Sequence, residues 1–314
     1  MSHRINWPNR KDFAFTVKVV LEQLLPEKVV MYIKQIRQNR IKARVNSLPI
    51  LTEKMFKHIF IKELGIKTGD VVFIHNSIDR LNLGFPFYQI LTLIQKITGE
   101  QGTILFPTYP TKLSSYKYLL NEDIFNVRKT PSYTGILTEI ARRQKKAIRS
   151  LHPTKSVCAL GRYAQELTNA HQYSPFPYDS CSPYNKIMKY NGKIIGLGVS
   201  TMNLSFVYCV DDSLKEEFPV NPYRKKLFEV QCVNYDGKVE IVKTYAHNIR
   251  KTMMHNIPKF IRKYISDDAC KDLEINGMNF FRADARKLFD QMVNLARENI
   301  TIYPKISYKK GRLL

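Results

Sequence analysis

The chain has 314 residues, 44% hydrophobic and 11% aromatic, with 50 Lys and Arg against 27 Asp and Glu for a formal charge of +23. That composition supports a sizeable globular core, and no uninterrupted apolar run approaches the ~18 residues a membrane span requires. The cysteines, Cys158, Cys181, Cys209, Cys232 and Cys270, are odd in number and form no C-x-x-C pair, which argues against a zinc site or a disulfide framework and suits a reducing cytoplasm.

Residues 1–48 read as a basic amphipathic helical extension. Phe13, Val17, Val20, Leu21, Leu24 and Leu25 fall at helical spacing, Pro26 can open a second helix, and Val30, Ile33 and Ile36 continue an apolar stripe. The stretch from Phe13 to Leu25 is broken by Lys18 and Glu22 and lacks a small-residue cleavage site, so it is a poor secretory signal. Ten Lys and Arg against three acidic residues suit either peripheral contact with an anionic inner membrane face or a solvated face whose apolar side docks on the body.

Residues 49–314 read as a catalytic body of α/β class. Strand-like runs Val71 to His75, Thr103 to Pro107, Ser156 to Leu160 and Lys193 to Val199 alternate with helical stretches Tyr88 to Ile97, Ile136 to Gln144 and Tyr163 to Ala170. Phe228 to Tyr235 and Val239 to Tyr245, joined at Asp236-Gly237, read as a hairpin insertion. The expected outcome is a mixed central sheet with helices on both faces.

The most informative segment is Ser150-Leu151-His152-Pro153-Thr154-Lys155-Ser156, a loop feeding a strand, followed by Cys181-Ser182-Pro183-Tyr184-Asn185-Lys186. This pair resembles the aminoglycoside 3-N-acetyltransferase family, whose members carry a His-Pro-Thr-x-Ser segment and then a Ser-Pro-Tyr-x-Lys-like stretch. Gly69 to Ser77 is similar to the family's first strand and its His-Ser-Ser turn, Gly102 to Thr108 to its second strand, and Thr130 to Glu139 to the segment before its central helix. The tail from Phe280 to Tyr303 resembles its last helix. The matches run in order from roughly residue 50 to the end.

That resemblance implies an acetyl-CoA-dependent N-acetyltransferase. Acetyl transfer to an amine asks for a proton acceptor and for donors to the developing oxyanion. His152 is the expected general base, since an imidazole titrates near neutral pH. Asp211, in a segment similar to a family Thr-Phe-Ile-His-x-x-Glu-Glu, is expected to orient it, with Glu139 as the alternative. Position 208 carries Tyr where the family has His, and Tyr208 cannot act as a base at neutral pH. The resemblance further places His75, Ser77, Ser132, Gly135, Thr154 and Ser156 beside the pantetheine of acetyl-CoA. No metal is implied.

Transfer is expected to be direct. Cys158 is the only thiol near His152, and it reads as a strand filler. No P-loop, dinucleotide fingerprint or Gly-x-Ser-x-Gly elbow occurs. The charge of +23 opposes a polycationic acceptor and suits a nucleotide- or lipid-linked amino sugar of surface-polysaccharide assembly. The alternatives are aminoglycoside acetylation, as in antibiotic resistance, and a non-catalytic basic scaffold for nucleic acid or membrane. No nucleic-acid-binding motif supports the last.

Overall fold

The computed structural model describes residues 26–121, 123–252 and 255–303, and the chain divides after Leu48 into two units. In the first, Glu27–Asn46 forms a helix of 20 residues behind Pro26. The amphipathic stripe expected there is corrected: apolar and basic residues are spread around the axis. Met31, Tyr32 and Ile33 are consecutive, all exposed and on different faces of a 3.6-residue turn, so no single stripe forms. The helix expected from Phe13 to Leu25 lies outside the described residues.

In the second unit, Val71–Asn76 (β1) and Thr103–Pro107 (β2) are almost continuously apolar and buried, as strands covered on both faces must be. Phe125–Asn126 (β3), Ile148–Arg149 (β4), Val157–Gly161 (β5), Lys193–Leu197 (β6), Tyr223–Val233 (β7), Val239–His247 (β8), Cys270–Ile275 (β9) and Met278–Asp284 (β10) complete the strands. The main sheet has seven strands in the order β4-β5-β2-β1-β6-β10-β9. Its centre, β2-β1-β6, is parallel, and β4, β5, β9 and β10 join it through antiparallel pairs. Strands β3, β7 and β8 form a separate three-stranded sheet.

Helices cover the main sheet. In Ala285–Arg297, Leu288, Met292 and Ala296 recur every four residues and are buried, and Asp284 caps the helix by accepting from the Lys287 amide at 3.0 Å. Leu288 and Met292 belong to the same core as Phe73, Leu105, Ile194 and Phe281. Each such side chain removed from water contributes roughly 1.5–3 kcal/mol. A smaller core under β7 and β8 gathers Phe125, Phe228, Val230, Cys232 and Val242.

The predicted strands and helices appear within two residues at most ends. One assignment is corrected: Phe280 to Ala283, expected in the last helix, lie in β10 and pair antiparallel with β6 and β9. The turn between β9 and β10 is Asn276-Gly277, both with positive φ, 53° and 73°. That is the dipeptide a tight hairpin favours.

Candidate active site

Strand direction assembles the site. The parallel strands β1, β2 and β6 end at one edge of the sheet, whereas the antiparallel β5 begins there, its Val157 opposite Pro107 of β2. The 150–156 loop therefore meets the segments leaving β1 and β2, and the Thr108 amide donates to the Ser156 carbonyl at 2.8 Å.

At this edge a cavity of about 580 Å³ is lined by His75 and Asn76 at the end of β1 with Ser77 beyond it, Pro107 at the end of β2 with Tyr109 beyond it, Tyr133 to Ile136, and Asn203 and Ser205 after β6. His75 is 5% exposed and its Nε2 has no partner, nor do Nδ2 and Oδ1 of Asn76. Buried polar groups are normally paired, so three unpaired atoms in one cavity mark a place where a ligand supplies the bonds. Burial holds the His75 imidazole down at about 3, so it is neutral at physiological pH. Gly135 opens the helix Ile136–Arg142 at φ 123° and ψ 159°, a conformation open essentially to glycine alone.

Of the six residues expected at the cofactor, His75, Ser77 and Gly135 line this cavity. Ser132 is tied to Thr134 and Thr138 at 2.9 and 2.8 Å. Ser156 donates to the Thr108 carbonyl at 2.7 Å and accepts from Arg149 Nε at 3.0 Å. Thr154 is buried with an unpartnered Oγ1.

His152 is fully buried and stacked on His171, ring centroids 4.4 Å apart. Its Nδ1 accepts from the amides of Thr154 at 3.2 Å and Lys155 at 3.0 Å, which puts the ring proton on Nε2, 3.4 Å from Thr244 Oγ1. Burial, reinforced by His171 and Lys155, keeps the imidazole neutral, well below its ordinary range.

The structure does not pair His152 with either expected carboxylate. Asp211 accepts from the Tyr303 hydroxyl at 2.6 Å and its Oδ1 has no partner, while burial pushes its carboxyl well up. Glu139 accepts from the Ser132 amide at 2.8 Å, from Arg142 at 2.6 and 2.8 Å and from Arg143 at 2.7 Å. Burial alone would raise Glu139, but these donors hold it at about 2. Tyr208 faces His255, its hydroxyl 3.3 Å from Nδ1.

Several residues at the site carry no sequence expectation. Tyr109 joins its hydroxyl to those of Tyr184, Ser205 and Tyr178 at 2.7, 3.2 and 3.3 Å. His247, the last residue of β8 and two residues beyond the predicted strand, packs against Tyr223, Tyr208 and Tyr178, and its Nε2 is buried without a partner. The signal available beforehand was only the density of Tyr and His between residues 173 and 255.

A mixed sheet with a cavity at the ends of its parallel strands defines an α/β protein whose cavity opens outside the carboxyl edge, where such folds place their small-molecule sites. Residues 73–297 match the family described as aminoglycoside 3-N-acetyltransferase, and the chain belongs to that family. It is 28% identical over 170 residues to aminoglycoside N(3)-acetyltransferase IX of Micromonospora chalcea, a match covering 49% of this chain and 60% of that relative. The chain thus spans less than two thirds of that protein's length. Its fold is similar to that of aminoglycoside acetyltransferase AAC(3)-Xa, with TM-score 0.68, 17% identity and coverage of 85% of this chain and 99% of the other. It is also similar to AAC-IIIb in a binary structure with CoASH, with TM-score 0.63, 18% identity and coverage of 82% and 100%.

Proposed function

We propose that this protein is an acetyl-CoA-dependent N-acetyltransferase that acylates an amine of an amino sugar, aminoglycosides being the acceptor class its family points to. The observation that carries the reading is the cavity where His75 Nε2 and both polar atoms of the Asn76 amide lie buried without partners. The amide-rich pantetheine arm of acetyl-CoA presents the acceptors and donors such atoms need. A CoA-bound relative of the same fold supports the choice.

The reaction is direct attack. The amine lone pair forms a C–N bond to the thioester carbon, the C–S bond breaks, CoA leaves as thiolate, and the amine loses a proton. His152 is the proposed acceptor of that proton: its ring is neutral, and the burial that keeps it so makes the imidazolium short-lived once formed. In the structure the Nδ1 lone pair is occupied by two amides, so proton uptake requires the 152–155 turn to release that nitrogen when substrates bind.

Calorimetry with acetyl-CoA and a thiol-release assay with an aminoglycoside test the reading. Wild type is expected to bind and turn over, and His152→Ala to bind with turnover reduced at least about a hundredfold. Absence of acetyl-CoA binding by wild type sinks the function. A His152→Ala variant that keeps most of its turnover removes His152 from the chemistry and leaves the function standing.

A further inference from the structure

Lys155 lies in the same turn that holds His152. Its side chain is half-buried, and its Nζ stands 4.4 Å from the centroid of the Tyr109 ring. Tyr109 lines the His75 cavity and Lys155 does not, so the ammonium rests against a ring that forms the cavity wall. Burial brings that ammonium down to about 8, and no carboxylate opposes the shift. Among the described residues it makes no ion pair. A partly desolvated cation without a counter-charge is costly unless something anionic completes it.

The surroundings repeat the pattern. The ammonium stands near enough to His152 and His247 to help keep both rings neutral. The Thr154 hydroxyl beside it in sequence is 2% exposed and unpartnered, as is the buried Nε2 of His247. The carboxyls of this region offer little compensation: Asp211 is bonded to Tyr303, Asp212 accepts from Tyr223 and the Tyr178 amide, and burial drives both toward the neutral acid. Asp79, at the cavity mouth, is exposed and accepts from Ser77.

We propose that Lys155 selects the acceptor by charge, so that the preferred substrate is an amino sugar bearing a phosphate or carboxylate as well as its amine. The inference rests on the N-acetyltransferase reading and, within amino sugars, sets an anionic acceptor in place of the polycationic aminoglycosides. A positive charge with unpaired donors repels a polycation and rewards an anion, and charge complementarity of this kind governs specificity and encounter rate.

The test compares three acceptors, a hexosamine phosphate, its parent hexosamine and a polycationic aminoglycoside, in wild type, Lys155→Met and Lys155→Arg. Acetyl-CoA binding is followed by calorimetry in each. The expected result is a kcat/KM for the phosphorylated sugar at least about tenfold above that for the parent in wild type, abolished in Lys155→Met and retained in Lys155→Arg, with unchanged acetyl-CoA binding. A wild-type preference for the polycation overturns the proposal. So does a phosphate preference that survives in Lys155→Met. Weakened acetyl-CoA binding in Lys155→Met assigns the ammonium to a donor phosphate and overturns it too. If wild type binds no acetyl-CoA, the function itself falls and this inference with it; binding without the charge preference removes only the inference.

Discussion

Gly135→Ala separates the conformational demand of the cavity from that of the fold. At φ 123° and ψ 159° any side chain is strained, by about 1–3 kcal/mol. The new Cβ would also sit 3.2 Å from Asn76 Oδ1 and 3.8 Å from the Asn76 carbonyl. The first contact is tight but meets a side-chain atom that can give by a few tenths of an ångström. Strain of about 2 kcal/mol corresponds to a melting temperature lower by roughly 4–8 °C, toward the smaller figure for a chain of this size. Relief comes from moving residues 133–136 away from Asn76, which opens the cavity wall, and acetyl-CoA affinity is expected to fall about tenfold. Gly161→Ala is the control. At φ 121°, its Cβ would collide with the Gly102 carbonyl, a backbone atom that cannot yield, at the far end of β5. It should melt lower than Gly135→Ala yet bind acetyl-CoA within about twofold of wild type when measured below its transition. Equal losses of affinity in the two variants, or no loss in Gly135→Ala, would refute the reasoning.

Two further outcomes follow from buried titratable groups. Glu139 has a folded carboxyl at about 2 against an ordinary 4.5, so its contribution is complete above the unfolded value and is lost as pH falls from about 4.5 through about 2. Glu139→Gln should flatten the acid limb of a stability–pH profile and cost about 2 kcal/mol at pH 7, since Arg142, with 7% of its side chain exposed, loses its counter-charge; an unchanged acid limb would show that the cluster is idle. Burial pushes the Cys158 thiol up to about 12, so Cys158→Ala should keep nearly full turnover. Mass spectrometry after incubation with acetyl-CoA alone should find no acetyl group on Cys158, and finding one would replace direct transfer with a covalent intermediate.

The central strands were legible because their apolar runs are short, β-branched and bounded by turn residues. The hairpin of β9 and β10 was not: Phe280-Phe281-Arg282-Ala283 is too short for its period to separate strand from helix, and the decisive sign was the neighbouring Asn276-Gly277. Of the residues the motifs singled out, His75, Ser77 and Gly135 line the cavity and His152 lies fully buried against His171, but pairing could not be read along the chain. Asp211 looked like a partner for His152, yet its hydrogen bond comes from Tyr303, distant in sequence. Glu139 was the opposite case, since Arg142 and Arg143 follow at the helical spacings of three and four residues that make an ion pair. Lys155 was in plain view inside the most informative segment, and only its lack of a counter-charge in three dimensions distinguishes it.

The antiparallel entry of β5 has a consequence for where variation can be borne. Each central strand has one end at the cavity and the other in a close-packed margin, where the Gly102 carbonyl leaves no room for a side chain at Gly161 and Lys193 bonds to Asp70 and the Gly65 carbonyl at 2.6 Å. At the cavity end, polar atoms stand unpaired and side chains keep room to change. Substitutions that unfold the protein and substitutions that retune its chemistry therefore fall at opposite ends of the same few strands. A lineage can vary the loop residues at the cavity end while the margin that holds the sheet together stays untouched.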